Sequence, residues 1–211
     1  MKPPGRAPLV PLLLVLSAVG AATPARAKDA HGHAHEAPAA GEARLARSIY
    51  HLGVSLRDQT GARVGLDLFR GHPAIISMFY ASCPDACPLL IEEIRQLESM
   101  LPAPVRADLR VILVSLDPER DTPEALSHLA RVRGVGGERW RFLTADDDVV
   151  REVAAILGVK FRRLPDSTIN HSTVITLLDR AGGIDLRIDG LGQPKAALAA
   201  RLRVIAAQKP P

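Results

Sequence analysis

Two continuous apolar runs constrain the fold of this 211-residue chain most strongly. Ala74–Tyr80 (AIISMFY) and Leu109–Leu116 (LRVILVSL) show the pattern of strands that are buried on both faces. Between them, an amphipathic helix is predicted to begin at about Pro88. Its apolar stripe consists of Leu90, Ile94, Leu97 and Leu101. A strand, a helix and a second buried strand in this order predict a parallel crossover.

The remaining elements complete a domain of the α/β class. Apolar patterning, caps and turn residues predict them in chain order: strands Val54–Leu56 and Ala62–Val64, a helix capped by Thr122 with Pro123 at its first position, strand Trp140–Thr144, helix Asp146–Leu157, a short extended piece at Phe161, strands Thr173–Leu178 and Ile184–Ile188, and helix Lys195–Ala207. We therefore expect one α/β domain over residues 47–208, with a mixed central sheet flanked by helices.

The first 27 residues predict an export signal. Lys2 and Arg6 precede an apolar run, and Ala25–Ala27 supplies the small-x-small end that signal peptidase requires. The run is about 16 residues long, which is short for a membrane-crossing helix, so cleavage is favoured over an uncleaved anchor. No cysteine follows it, which excludes a lipoprotein anchor. The predicted location is the bacterial periplasm or cell envelope, where thiols can be oxidised.

Residues 28–46 predict a disordered tail, because they contain almost no large apolar side chains. His31, His33 and His35 alternate along this tail, and an extended chain would place the three imidazoles on one side. Such an array suits a transition metal. A soluble spacer that happens to contain histidine is an equal alternative.

The charge balance does not indicate nucleic-acid binding. The chain has 27 Lys and Arg residues against 23 Asp and Glu residues. Lys2, Arg6 and Arg26 belong to the predicted leader, so the rest of the chain is almost neutral. Aromatic residues make up only 3% of the sequence, too few for a base-stacking surface.

Two cysteines form the most specific chemical motif. Cys83 and Cys87 lie where the strand Ala74–Tyr80 ends and the next helix begins, and a helix N-terminus favours thiolates. Residues four apart are one helical turn from each other, so the two sulfurs can form a disulfide or hold a thiophilic metal. A purely structural disulfide is the alternative, but a bridge that encloses three residues constrains the unfolded chain little.

A third ligand would complete a copper site, because two thiolates alone leave Cu(I) open to exchange. Imidazole fits, and the domain contains His51, His72, His128 and His171. His171 immediately precedes a buried strand and follows an irregular loop, Leu164–Asn170. If that strand runs near the cysteine strand, His171 can meet the sulfurs; otherwise it is an ordinary core or surface histidine.

Two other chemistries remain open at this motif. In a thiol-disulfide oxidoreductase, Cys83 would be the attacking thiolate and Cys87 the resolving thiol. A zinc site would need a tail histidine as a fourth ligand.

Three segments resemble the signatures of the SCO/SenC family. They are MFYASCPDACP (residues 78–88), VSLDPERDTPEAL (114–126) and INHSTVITLLDRAGG (169–183), and LRDQTGARVGLDLFRGHPAII (56–76) is similar to the family's opening hairpin and strand. The resemblance covers about Ser48 to Ala207.

This resemblance implies a thioredoxin-like fold and places Cys83, Cys87 and His171 on the family's copper ligands. It also implies delivery of copper to the dinuclear copper site of cytochrome c oxidase, or reduction of that site's cysteines. A mixed shell of sulfur and nitrogen ligands suits Cu(II) as well as Cu(I). The implied partners are the oxidase subunit that carries the site, a copper donor protein and a thioredoxin-like reductant. The N-terminal segment would provide any membrane association.

The chain departs from the family pattern at two positions. Asn170 stands where many members have Asp before the ligand histidine, and Ala81 stands where many have Thr. The middle signature is matched by Asp117, Pro118, Arg120 and Asp121, for which the sequence indicates only a loop-ordering role.

Overall fold

The protein is built on a seven-stranded mixed sheet, as seen in a computed structural model that describes residues 48–83 and 86–210. The strands are β1 (Leu56–Asp58), β2 (Arg63–Val64), β3 (Ala74–Phe79), β4 (Arg110–Ser115), β5 (Trp140–Thr144), β6 (Phe161–Arg163), β7 (Ile169–His171), β8 (Val174–Leu178) and β9 (Ile184–Asp189). The order in the main sheet is β2-β1-β5-β4-β3-β8-β9. Strands β3, β4 and β5 are parallel, whereas β1 and β8 pair antiparallel to their neighbours. Strands β6 and β7 form a separate antiparallel pair.

In the described part of the chain, five α-helices connect or flank these strands. They are α1 (Ala86–Ser99), α2 (Ala103–Asp108), α3 (Pro123–Val132), α4 (Asp147–Leu157) and α5 (Ala196–Ala206), and 3₁₀ helices occur at Ile49–His51 and Leu66–Phe69. Within the described ranges, no helix has the length and apolarity needed to cross a membrane. The leader, residues 1–27, and the histidine tail, residues 28–46, lie outside the described residues.

The core confirms the prediction of strands buried on both faces. All six residues of β3 are buried, as are five of the six in β4. Phe79 of β3 packs edge-to-face on Phe142 of β5, with ring centroids 5.6 Å apart. The predicted apolar stripe of α1 is buried as well. The mixed α/β architecture expected from the sequence is therefore observed.

Local signals also placed most boundaries correctly, although the first strand is Leu56–Asp58 and not the predicted Val54–Leu56. The Thr122 hydroxyl accepts a hydrogen bond from the Ala125 backbone and caps α3, and Gly158 ends α4 in the left-handed conformation. The prediction for the segment before His171 was wrong. Ile169–His171 is a strand rather than part of an irregular loop, because it pairs with β6.

The pairing of β3 with β4 positions the site. Phe79 and Ser115, the last residues of the two strands, are Cα partners in the parallel register. The loop after β3, which carries Tyr80 and Cys83, therefore leaves the sheet at the same edge as the loop after β4. We call the second loop, residues 116–122, the acidic loop. Ligand sites of open α/β sheets commonly form at this carboxyl edge.

The turn between β8 and β9 is packed against the start of the domain. Gly182 has a φ of 85°, and a Cβ atom there would collide with the ring of Tyr50 and the hydroxyl of Ser48. We expect Gly182→Ala to lower the free energy of unfolding by about 2–4 kcal/mol, from backbone strain and overpacking together. Urea denaturation followed by circular dichroism measures this change.

Gly61 provides the matched control. It also has a φ of 85°, but its Cβ position has nothing within 4 Å. We expect Gly61→Ala to cost about 1 kcal/mol, from strain alone. Equal losses in the two variants would show that the contact with Tyr50 is unimportant.

Candidate functional site

The two cysteines come together at the junction of β3 and α1. Neither forms a disulfide, and the Cys83 backbone N–H donates to the Tyr80 backbone oxygen over 3.2 Å. Cys87 lies in the first turn of α1 and is 4% exposed, whereas Cys83 is only half-buried. The Tyr80 backbone N–H donates to the Cys87 sulfur over 3.4 Å. The predicted dithiol is thus formed, with one accessible and one inaccessible sulfur.

Burial decides the protonation of Cys87. Desolvation is the largest effect and raises the pKa of the Cys87 thiol well above its ordinary value, although the Tyr80 N–H favours the thiolate. The sequence predicted that the helix N-terminus favours thiolates here. For Cys87 that prediction was wrong, because burial raises the pKa of its thiol by more than the Tyr80 N–H lowers it.

His171 is the last residue of β7, and one of its two ring nitrogens has a hydrogen-bond partner. Nδ1 lies 3.2 Å from the backbone oxygen of Ser172. A carbonyl oxygen can only accept, so Nδ1 carries the proton and Nε2 keeps its lone pair. Burial lowers the pKa of His171, which favours the same neutral form. A neutral imidazole with an available Nε2 is the state that ligates metals.

Tyr80 connects the cysteines to this histidine. Its ring packs edge-to-face on the His171 ring, with centroids 5.8 Å apart and an angle of 77° between the planes. Burial first, and then hydrogen bonding with Cys83, raise the pKa of Tyr80. The structure therefore brings Cys83 and Cys87 together and places His171 against Tyr80. In residues 48–83 and 86–210, no three His, Cys, Asp or Glu side chains are close enough together to hold a metal ion.

The sequence pattern did not indicate a role for Tyr80, because this residue lies in the apolar run that predicts the buried strand. The available signal was its position: an aromatic residue with a polar tip, at the end of a buried strand and three residues before Cys83.

Asp121 of the acidic loop holds the cysteine loop against β4. Its Oδ2 atom accepts hydrogen bonds from the Ala81 backbone N–H at 2.9 Å and from the Ser115 hydroxyl at 2.5 Å. The side chain is 1% exposed, and burial raises the pKa of Asp121. A buried carboxylate with two donors from different segments joins those segments firmly.

Asp117 and Arg120 attach the same loop to the strand pair that carries His171, which we call the histidine hairpin (residues 160–172). Asp117 is fully buried, and its Oδ1 atom accepts a hydrogen bond from Arg163 of β6 at 2.8 Å. Arg120 donates to the backbone oxygen of Ser167, at the hairpin turn, over 3.1 Å. The loop-ordering role predicted for these residues is confirmed, and their contacts also reach beyond the acidic loop to the histidine hairpin.

The other histidines of the domain have different surroundings. Nδ1 of His72 lies 2.6 Å from Asp108, and Nδ1 of His128 lies 2.9 Å from an Arg131 guanidinium nitrogen on α3. His51 is exposed on the first 3₁₀ helix. Among the described histidines, His171 is thus the one that contacts the cysteine loop through Tyr80.

The fold and a Cys-x-x-x-Cys pair at a strand-to-helix junction define a thioredoxin-like protein with a dithiol site. Comparison with protein families gives the particular group. The family model SCO1/SenC matches residues 49–207, and the chain belongs to this family.

Individual relatives agree with this assignment. A SCO2-like protein of Rickettsia prowazekii is 27% identical over 153 residues, covering 69% of this chain and 73% of its own length. The structure of Bradyrhizobium japonicum ScoI with copper bound is similar with a TM-score of 0.62 and 27% identity, over 72% of this chain and 96% of that one. The structure of BsSco, described as a Sco-family cytochrome c oxidase assembly protein with a disulfide switch, has a TM-score of 0.63 and 20% identity, over 74% and 92% of the two chains.

Removal of the Arg163 guanidinium tests the attachment of the histidine hairpin. Arg163→Ala leaves the buried Asp117 carboxylate with the more distant Arg120, whose Nη1 atom is 3.4 Å from Oδ2. We expect the free energy of unfolding to fall by about 2–3 kcal/mol, since a buried charge loses its closest partner. Urea denaturation gives the loss, and amide exchange of Ile169–His171 should accelerate.

Arg162→Ala is the control for this prediction. Arg162 is exposed and points to the opposite face of β6, because side chains alternate along a strand. Its removal should change stability by no more than about 0.5 kcal/mol. Losses of similar size in both variants would contradict a specific role for Arg163.

Proposed function

We propose that this protein is a copper-binding accessory protein of the bacterial cell envelope. In this proposal Cys83, Cys87 and His171 hold one copper ion and pass it by ligand exchange to the dinuclear copper site of cytochrome c oxidase, or otherwise help that site to mature. The observation that carries the proposal is a pair of cysteines that both contact the backbone of Tyr80, whose ring packs on an imidazole with an available Nε2.

The donor chemistry fits copper. Thiolate sulfur selects soft Cu(I), and imidazole is borderline, so a shell of two sulfurs and one nitrogen also accommodates Cu(II). Cys87 must lose its proton when it binds a metal, and the Tyr80 backbone N–H is placed to stabilise the resulting thiolate. The hydrogen bond from Nδ1 of His171 to Ser172 orients the imidazole.

The relatives support this function. ScoI of Bradyrhizobium japonicum is described with copper bound, and BsSco is described as an oxidase assembly protein. By analogy, the partners we propose are the oxidase subunit that carries the copper site, a copper donor protein and a thioredoxin-like reductant. The almost neutral charge beyond the leader favours protein partners over nucleic acid.

The chain organisation we propose is an export signal at residues 1–27, a histidine-containing tail at residues 28–46 and the thioredoxin-like domain at residues 47–208. Export would place the dithiol where copper insertion into an envelope oxidase occurs. An uncleaved leader would anchor the domain at the inner membrane.

Copper binding by the reduced protein tests the proposal directly. We expect one copper per chain for the wild type, loss of stable binding in Cys83→Ser, and an affinity at least about tenfold lower in His171→Ala. Competition with a chromogenic Cu(I) chelator measures these values. His128→Ala, which alters an exposed imidazole on α3, is the matched control.

Two results would contradict the three-ligand site. One is wild-type affinity in His171→Ala; the other is equal weakening by His171→Ala and His128→Ala.

A thiol-disulfide oxidoreductase is the second candidate, favoured by the unequal burial of the two sulfurs. The accessible Cys83 would attack a substrate disulfide and expel one substrate thiolate, which takes up a proton. Cys87 would then displace the other substrate sulfur, leaving a Cys83–Cys87 disulfide that a thioredoxin-like dithiol reduces.

This second activity predicts a trapped intermediate. Cys87→Ser should accumulate a mixed disulfide between Cys83 and an oxidised model peptide that contains two cysteines, visible as a mass increase under non-reducing conditions. Cys83→Ser should accumulate much less, because Cys87 is buried. Equal trapping by both variants, or by neither, would contradict the assigned roles.

A further inference from the structure

Tyr80 contacts all three of the ligands that the proposed function requires. We propose that Tyr80 is a positioning residue, which holds the His171 imidazole in place for copper and couples it to the cysteine loop. This inference rests on the proposed copper site, and it adds a role for a side chain that is not itself a ligand.

The backbone of Tyr80 is fixed by the sheet edge. It directly follows Phe79, the last residue of β3, and its side chain is 6% exposed. From this position its N–H donates to Cys87 while its side chain extends toward the histidine hairpin. A rigid strand end therefore sets the direction of the aromatic side chain.

Tyr80 joins the two segments that carry the ligands. Its backbone oxygen accepts a hydrogen bond from the Cys83 N–H over 3.2 Å, and its backbone N–H donates to the Cys87 sulfur. Its ring packs on the ring of His171, the last residue of β7. One residue at the end of β3 therefore contacts both cysteines and the imidazole.

The ring contact acts on the imidazole itself. Edge-to-face packing is a preferred arrangement of aromatic rings, and it limits rotation of the His171 side chain. The Nδ1–H bond to Ser172 depends on that orientation. We therefore expect that, without the Tyr80 ring, His171 no longer keeps the single Nδ1–H tautomer that leaves Nε2 available.

A double-mutant cycle on copper affinity separates a positioning role from a general structural one. Tyr80→Leu should weaken Cu(I) binding by about tenfold in the wild-type background and by less than about twofold in the His171→Ala background. Tyr80→Phe keeps the ring and loses only the hydroxyl, so its affinity should stay within about threefold of the wild type.

Phe79→Leu is the matched control. It removes an equally buried ring from the neighbouring residue, but that ring packs on Phe142 and not on His171. Its copper affinity should change by less than about twofold in either background, because only the core packing is altered. Equal weakening by Tyr80→Leu in both backgrounds, or by Phe79→Leu and Tyr80→Leu alike, would overturn the inference.

A measurement on the metal-free protein keeps this inference separate from the proposed function. Long-range ¹H–¹⁵N NMR spectra report the His171 tautomer, and the wild type, Tyr80→Phe and Phe79→Leu should all show the Nδ1–H form. Tyr80→Leu should show a mixture of tautomers. If Tyr80→Leu shows the same tautomer as the wild type, the inference about Tyr80 is overturned. If the wild type binds no copper, the proposed function is overturned, and the tautomer result alone then decides the role of Tyr80.

Discussion

The buried carboxylate of Asp121 is the interaction on which the site depends. It accepts hydrogen bonds from Ala81 in the cysteine loop and from Ser115 at the end of β4. The sheet brings the two strand ends together through backbone pairing, but that pairing stops at Phe79 and Ser115. Beyond these residues, Asp121 holds the cysteine loop against its neighbour. Both donors would otherwise need other partners in a region that largely excludes water.

A second acidic residue extends this arrangement to the other side of the site. Asp117 accepts a hydrogen bond from Arg163, and Arg120 donates one to the Ser167 carbonyl, so the acidic loop contacts the histidine hairpin at its strand and at its turn. The acidic loop therefore connects two segments that have no strand pairing with each other. Tyr80 forms a further connection on the side nearer the sulfurs. Side-chain contacts, rather than strand pairing with the main sheet, therefore hold the proposed ligand His171 next to the cysteine loop.

Parts of this arrangement follow from the sequence because they depend on local patterns. The apolar run of β3 and the amphipathic stripe of α1 place Cys83 and Cys87 at a strand-to-helix junction. His171 could be selected among the histidines because it precedes the buried strand β8. The match to the middle signature predicted a loop-ordering role for Asp117 and Asp121, but the sequence does not show which residues they contact.

Other parts could not be predicted, since they depend on contacts between distant residues. Three residues such as Ile169–His171 carry too little pattern to indicate a strand, and they form one only by pairing with β6. The protonation of Cys87 depends on how deeply the core encloses it. In the sequence, Tyr80 is one more residue of an apolar run, and its contacts with Cys83 and His171 become visible only in the structure.

The histidine hairpin has its own hydrogen-bonded ladder, which continues at its base where Lys160 and Ser172 exchange two further hydrogen bonds. It is thus internally stiff yet unpaired with the seven-stranded sheet. Displacing it as a unit would break the contacts of Arg163, Arg120 and Tyr80 and would also expose Ile169, which is buried in the core, while leaving every rung of the main sheet intact. The proposed sulfur ligands and the proposed imidazole ligand are thus carried by two units that are hydrogen-bonded separately.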